Sequence, residues 1–417
     1  MPTYDLIIRN ARTQSSPATQ DVGVTAGRIA ALAPRLADRG AAEVDADGRL
    51  LIPGFVDAHI HVDKALVADQ LEFPEGNLAV NDAVEAMGRL KRAYTPETVY
   101  ARGRRLLAMA VRHGVSAIRT QCDVDPICGL MPLEVLCRLR EEFAPCLTMQ
   151  IVAFPQEGLL REPGTVDLIR QALRRGADCP GGGPLDADFK AHIDQVFALA
   201  REFGTPVDLH ADLGIDTLRP VPEWECVYAA GKAIEAGLEG RVCVHHLAAL
   251  GAVTAEEAQP ALAALARAGV SVNAVPASEM YRQGMRDPAN ARRGMTRVKD
   301  LLAAGVNVCF ASNNVRDAFV TFGCGDLLEQ AWFGAQAAHL ATEAELATAL
   351  EMVTARPARA IGLSEYGVAV GAHADLVLLD AEAPADAVRR QAEKRYVWKA
   401  GRLVARNARR TELWAPR

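Results

Sequence analysis

Residues 95–124 read "TPETVYARGRRLLAMAVRHGVSAIRTQCDV", and this stretch decides the fold. Thr95 can cap a helix, and Pro96 suits the first helical position, where the backbone N–H has no partner to lose. Glu97 sits at the positive end of the helix dipole. Gly114 can take the left-handed conformation that closes a helix. The spacing therefore predicts a helix over 96–113, a stop, and then a strand, "VSAIRTQCDV".

The same grammar recurs. An amphipathic helix, a glycine and a short β-branched run lead to "FGTPVDLHAD" (203–212), "EGRVCVHHLA" (239–248), "AGVSVNAVPA" (268–277) and "AGVNVCFASNN" (304–314). "FVDAHIH" (55–61), "LTMQIVAFPQ" (147–156) and a weaker "RRGADCPGG" (174–182) bring the strands to eight. Eight strands alternating with helices predict an α/β protein, a (β/α)8 TIM barrel. The alternative is a doubly wound open sheet. It would call for a glycine-rich phosphate loop after the first strand, and none is present.

Both ends of the chain differ from this middle. "YDLIIRNART" (4–13), "DVGVTAGRIAAL" (21–32), "ADLVLLD" (374–380) and "RYVWKAGRLVA" (395–405) are short strands divided by tight turns. They predict a small β-sandwich domain made of 1–53 plus 365–417, around a barrel domain of 54–364.

Composition narrows the class. The 417 residues are 50% hydrophobic and 24% charged, with a net charge of −6, so no basic surface points to nucleic acid. The nine cysteines form no CxxC pair and fall within apolar runs, as expected of a reducing compartment. No signal peptide and no apolar run of membrane-spanning length is evident, so a cytoplasmic protein without a membrane partner is expected.

A barrel carries its chemistry at the C-terminal ends of its strands. Those ends supply His59 and His61, Gln121 and Asp123, Gln156, His210 and Asp212, His245 and His246, and Asn313 and Asn314. Strand alternation points His59 and His61 to the same side. His210 adds a third imidazole from across the barrel. A lone histidine is usually a core residue hydrogen-bonded to backbone, but this trio matches a common catalytic metal set with an open position. Such an ion brings the pKa of its water down towards ~7. Alternation also predicts that Asp212 shares the face of His210 and that His245 points outward. Arg316 and Asp317 are expected to pair or to touch substrate, and Trp332 and Phe333 to lie in the core. His192, His339 and His373 are expected to be structural.

At these residues the chain resembles a known family. "GFVDAHIHVDK" (54–64), "VDLHAD" (207–212), "VCVHH" (242–246) and "GVAVGAHADLVLLD" (367–380) resemble the amidohydrolase superfamily. "QIVAFPQEGLL" (150–160) and "RRGMTRVKDLLAAGVNVCFAS" (292–312) are similar to its cytosine deaminase subgroup, which includes N-alkyl-triazine aminohydrolases. The resemblance implies one divalent metal per chain, Zn2+ or Fe2+ with Mn2+ as a further candidate. It implies hydrolytic loss of ammonia or amine from a small nitrogen heterocycle, and a homo-oligomer in which the tail 409–417 is a candidate contact. It assigns His59, His61 and His210 to the metal, His246 to positioning water or substrate, and Gln156 to reading the ring. Lys64 matches a lysine of the triazine-type enzymes. The fourth strand lacks the lysine that bridges two metals in some relatives.

Two positions depart from that pattern. Asn313 stands where the family has a metal-binding aspartate, and Leu213 where the subgroup's deaminases have a glutamate. Asn313 can ligate through its amide oxygen but cannot act as a carboxylate base. The catalytic set is therefore read as His246, Asn313 and Asp212. The substrate-binding set is Gln156, Lys64, Leu213 and Asn314, and the metal set is His59, His61, His210 and Asn313. Asp63, Asp123 and Glu279 are further candidates for proton transfer. The expected function is a mononuclear amidohydrolase that cleaves a C–N bond of a heterocycle. The alternatives are ring opening of a cyclic amide or imide, and a homologue that has lapsed into ligand binding.

Overall fold

The computed structural model describes residues 3–73, 80–183, 185–216, 219–285, 287–290, 292–410, 412 and 414. Of the tail 409–417, residues 411, 413 and 415–417 lie outside the described residues. The chain opens with β1 (Tyr4–Thr13), β2 (Ser16–Thr25), β3 (Arg28–Ala33), β4 (Gly40–Asp45) and β5 (Leu50–Pro53). The middle carries β6 (Phe55–Ile60), β7 (Val115–Asp123), β8 (Thr148–Phe154), β9 (Cys179–Gly182), β10 (Val207–Ala211), β11 (Val242–His246), β12 (Ser271–Ala274) and β13 (Asn307–Phe310). The end contributes β14 (Leu376–Leu379), β15 (Lys394–Lys399) and β16 (Arg402–Arg406).

All eight expected middle strands form, and they pair in sequence order from β6 to β13. The ring closes at one seam. Ile60 bridges Asn313, His61 N donates to Asn313 O at 3.0 Å, and Asn313 N donates to His59 O at 2.8 Å. Closure thus brings together the strand ends that carry His59, His61 and Asn313.

The helix read from residues 96–113 is Pro96–Arg112. Thr95 and Thr98 form a reciprocal capping box, and Gly114 follows with φ of 86°. Its buried residues Val99, Leu106, Ala110 and others form the stripe that packs on the barrel. In the helix Leu327–Ala337 the core face is Leu328, Ala331 and Ala335. Trp332 and Phe333 lie beside that stripe and are half-buried, which corrects their expected place in the core.

The two termini build one sheet. β14 runs antiparallel to β5, and β1 pairs with β2, β4 and β5. Ile29 of β3 and Trp398 of β15, far apart in strand order, share one apolar core, so the sheet curls over on itself. Gly54 links β5 to β6 with no room for a side chain, since a Cβ there would lie 2.4 Å from Ser116 Oγ. No helix among the described residues is long and apolar enough to cross a membrane.

Candidate active site

Three imidazoles converge at the barrel mouth. One ring nitrogen each of His59, His61 and His210 falls within 4.8 Å of the others. The ring centroids are 5.3 Å apart for His59 and His61, and 4.6 Å for His59 and His210. Burial, with the repulsion that crowded imidazoles would feel if charged and, for His61 and His210, the charge of Lys64, pushes all three well below the usual histidine pKa. They are neutral and can offer lone pairs. His61 Nδ1 and His210 Nδ1 are buried with no hydrogen-bond partner. Neutral donors crowded together, some of them unpartnered, fit a divalent cation. Asn313 Oδ1 lies 3.1 Å from His59 Nε2, and its amide nitrogen donates to Ser278 Oγ at 3.0 Å.

A second layer lies beneath. Gln121 Nε2 donates to Asp208 at 2.8 Å and sits 3.3 Å from His59 Nδ1. Asp208 is also held by Arg119 at 3.4 Å and by the His245 ring. His245 stacks on His59 at 3.8 Å and meets the Asn273 amide at 3.0 Å. It therefore faces inward, against the expectation. His245 pairs in register with His210, and paired residues of parallel strands share a face. His246 is the residue out of phase. Its φ of 74° turns it into the mouth, so both imidazoles are retained.

His246 Nδ1 hydrogen-bonds the Glu279 carboxylate. Glu279 also accepts from Gln283 Nε2 at 2.6 Å, and Gln283 holds Leu213 O at 2.9 Å. Gln156, Leu213, His246, Asn313 and Asn314 all line the cavity above the imidazoles, which encloses about 610 Å³ with its open mouth included. Val84, Phe154, Leu185, Leu213 and Phe319 make much of its wall apolar. Arg282 also lines it.

The amidohydrolase family model matches this chain over residues 42–94 and 65–405. This chain belongs to the amidohydrolase family. N-isopropylammelide isopropyl amidohydrolase of Pseudomonas sp. (strain ADP) is 30% identical over 411 residues, covering 97% of this chain and 98% of that one. Pterin deaminase of Rhizobium rhizogenes is 30% identical, covering 93% and 88%. The crystal structure of 5-methylcytosine deaminase from Klebsiella pneumoniae liganded with 5-fluorocytosine superposes with a TM-score of 0.91 at 30% identity, covering 98% and 99%. Like its family, this amidohydrolase is a hydrolase of carbon–nitrogen bonds.

Other expected residues of this amidohydrolase lie off the cavity. Lys64 is fully buried, donating to Gln156 Oε1 at 2.6 Å and pairing with Asp123 at 2.7 Å. Asp123 is pushed up by burial, but Lys64 and Lys91 outweigh this and leave its pKa lowered. Asp63 is raised to about 7 by burial and by the charge of Asp123. The Asp212 carboxylate accepts from Glu225 N at 3.1 Å and Cys226 N at 2.9 Å, capping the helix Glu225–Glu235. With φ of 48°, Asp212 leaves strand geometry, so the shared-face argument from His210 does not apply. Burial and Glu225 raise its pKa to about 6. Asn314, by contrast, is at the cavity wall, where its amide donates to Asp317 at 2.6 Å. Arg316 bonds Gly323 O, and Asp317 accepts from Phe319 N and Val320 N, so each holds the turn rather than the other. His192 meets Asp186 at 2.5 Å, within the protein's interior.

Asp208, Arg119, Asn273, Ser278 and Arg282 were not foreseen. Two of them had a signal: Asp208 lies two residues before His210, and Arg119 two before Gln121, so alternation puts each pair on one face. Asn273 needs the β11–β12 register, and Ser278 and Arg282 need the path of the helix Pro276–Arg282.

Proposed function

We propose that this amidohydrolase is a mononuclear metal-dependent enzyme that removes ammonia or an amine from a small nitrogen heterocycle. The carrying observation is the convergence of three neutral imidazoles, from His59, His61 and His210, at the floor of a mostly apolar cavity. These residues, with Asn313 Oδ1 beside them, would hold one divalent ion, Zn2+ or Fe2+. Bound there, such an ion supplies Lewis-acid activation of water and substrate.

The chain's own residues do the remaining work. The Gln156 oxygen is taken by Lys64, so its amide nitrogen offers donors to a ring carbonyl or ring nitrogen. Glu279 engages Nδ1 of His246, leaving the other ring nitrogen to take or return a proton in the cavity. That dyad supplies the proton transfer that neither Asn313 nor Leu213 can perform. Gln121, Asp208 and His245 fix the His59 ring from below. Phe154, Leu213 and Phe319 exclude water.

Elemental analysis and a turnover panel of aminated pyrimidines, triazines and pterins test this. We expect about one divalent ion per chain, and its loss in His210→Ala. His246→Ala is expected to keep the ion and to slow amine release by ~10²–10⁴. Equal turnover by metal-stripped protein or by His210→Ala would refute the reading. Carboxylate formation from cyclic amides, without ammonia, would assign ring opening instead.

A further inference from the structure

Arg282 is the one side chain with a permanent charge among the described residues that line the cavity. It ends the helix Pro276–Arg282 and is half-buried. Its Nη1 donates to Phe319 O at 3.2 Å, and its guanidinium lies over the Phe319 ring at 5.4 Å. No carboxylate among the described residues lies within ion-pair distance of it. Glu279, three residues earlier, is occupied by His246 and Gln283. Nε and Nη2, the two donors along one edge of the guanidinium, take no protein acceptor among the described residues. Burial lowers the Arg282 pKa from its ordinary value, yet leaves it a cation.

A half-buried cation whose carboxylate neighbours Glu279 and Asp317 act on it only from beyond ion-pair distance is a costly arrangement unless a ligand supplies a closer counter-charge. The other described residues that line the cavity add no negative charge. Asn313 and Leu213, where a carboxylate could have faced Arg282, carry no charge. Elsewhere around the mouth, buried lysines are matched by carboxylates: Lys91 meets Asp123, Asp125 and Glu157. Arg282 stands apart from that rule.

We propose that Arg282 selects a heterocycle carrying a planar, delocalised anion, which the free Nε–Nη2 edge engages as a two-toothed fork. That anion is either a ring deprotonated at an imide, with its charge shared between oxygen and nitrogen, or a carboxylate on the ring. The inference rests on the proposed function only in taking this cavity as the substrate site.

The test is calorimetric binding of barbiturate (ring anion), orotate (ring carboxylate) and uracil (neutral ring). It uses protein reconstituted with Zn2+ and, separately, stripped of metal, so that attraction to the ion is separated from attraction to Arg282. In both states the natural protein should bind at least one anion ~10-fold or more tightly than uracil. The tighter anion identifies the source of the charge. Arg282→Gln should remove the preference, and Arg282→Lys, which keeps the charge but not the fork, should retain part of it. Melting temperatures of both variants establish that they are folded. An anion affinity unchanged in Arg282→Gln, or a natural protein that favours neither anion over uracil, overturns the inference. The two readings fail separately. Loss of the preference with Arg282, without turnover of any panel compound, removes the hydrolytic reading alone. Turnover of neutral rings with no effect of Arg282→Gln on anions removes this one alone.

Discussion

The two sides of the barrel mouth handle charge in opposite ways. On the side of β6–β8, two fully buried ammonium groups are enclosed by carboxylates: Lys64 at 2.7 Å from Asp123, and Lys91 at 2.6 Å from Asp125 and 2.7 Å from Glu157. On the side built after β10 and β12, Leu213 and Arg282 face the cavity, and the guanidinium has no carboxylate within ion-pair distance among the described residues. The first arrangement is closed and self-satisfied. Its output to the site is geometric, because Lys64 fixes which end of the Gln156 amide looks outward. The second arrangement is open, and its unmet charge is what a ligand can sense. Position is set on one side and selectivity on the other.

The largest effect should come from breaking the closed side. Lys91→Met leaves Asp123, Asp125 and Glu157 facing one another around an apolar chain. Removing one partner of a buried ion group typically costs ~3–5 kcal/mol, most of it the penalty of the stranded charges. Arg282→Gln strands nothing and should change stability by under ~1 kcal/mol. Urea unfolding of both variants checks this. Equal losses would mean that the two sides do not differ as described.

A smaller effect sharpens the point with a buried carboxyl that has no ion-pair partner among the described residues. Asp57 is buried, and its Oδ1 accepts from His59 N at 3.3 Å and Ser312 N at 3.2 Å. Burial, only partly offset by these bonds, raises its pKa from 3.8 to about 6. The folded state therefore holds this proton more tightly than the unfolded chain does. That contribution is fully present below pH ~4 and is lost as pH rises through ~6, a total of about 3 kcal/mol. Asp57→Asn keeps the acceptor and cannot ionise. Its stability relative to the natural protein should climb between pH ~4 and ~6 and then level off, in melts recorded across that range. A flat difference would mean that Asp57 ionises in the fold as easily as in water.

Much of this was legible in the chain, because two periodicities carried it. The helix–glycine–strand repeat of 95–124 recurs with enough regularity to count a barrel. The period of two put His59 and His61 on one side, and the three imidazoles do meet. The misreadings fall where that period ends. Asp212, His246 and Asn313 all have positive φ at strand ends, so counting by twos fails there. It sent His245 outward, although Val242 and Val244 already marked the opposite face, and it placed Asp212 beside His210 when it caps a helix. Lys64 was read as a substrate contact because a sequence does not show that Asp123 waits behind it. Arg282 carried no signal, since its place depends on where a helix after β12 comes to rest. Loop geometry and long-range pairing leave no local pattern, and at this mouth they decide which charges are satisfied.

The smallest expected change in stability is also the most direct way to erase the contrast. Leu213→Glu puts a carboxylate into the same cavity as Arg282. Leu213 is half-buried and its backbone oxygen is held by Gln283, so the side chain can be exchanged without opening the core. A substitution of this kind at a partly exposed position usually shifts stability by about 0.5 kcal/mol or less. Its effect on ligands should be far larger in proportion. A new negative charge offsets the cation, so the preference for barbiturate or orotate over uracil should fall several-fold, and more so at low ionic strength. Added salt should weaken the preference in the natural protein but hardly alter it in the variant, where the opposed charges are already matched. If Leu213→Glu melts as the natural protein does and still favours the anions to the same extent, then Arg282 is not what they sense. The two sides of the mouth would then differ in stability alone and not in selection.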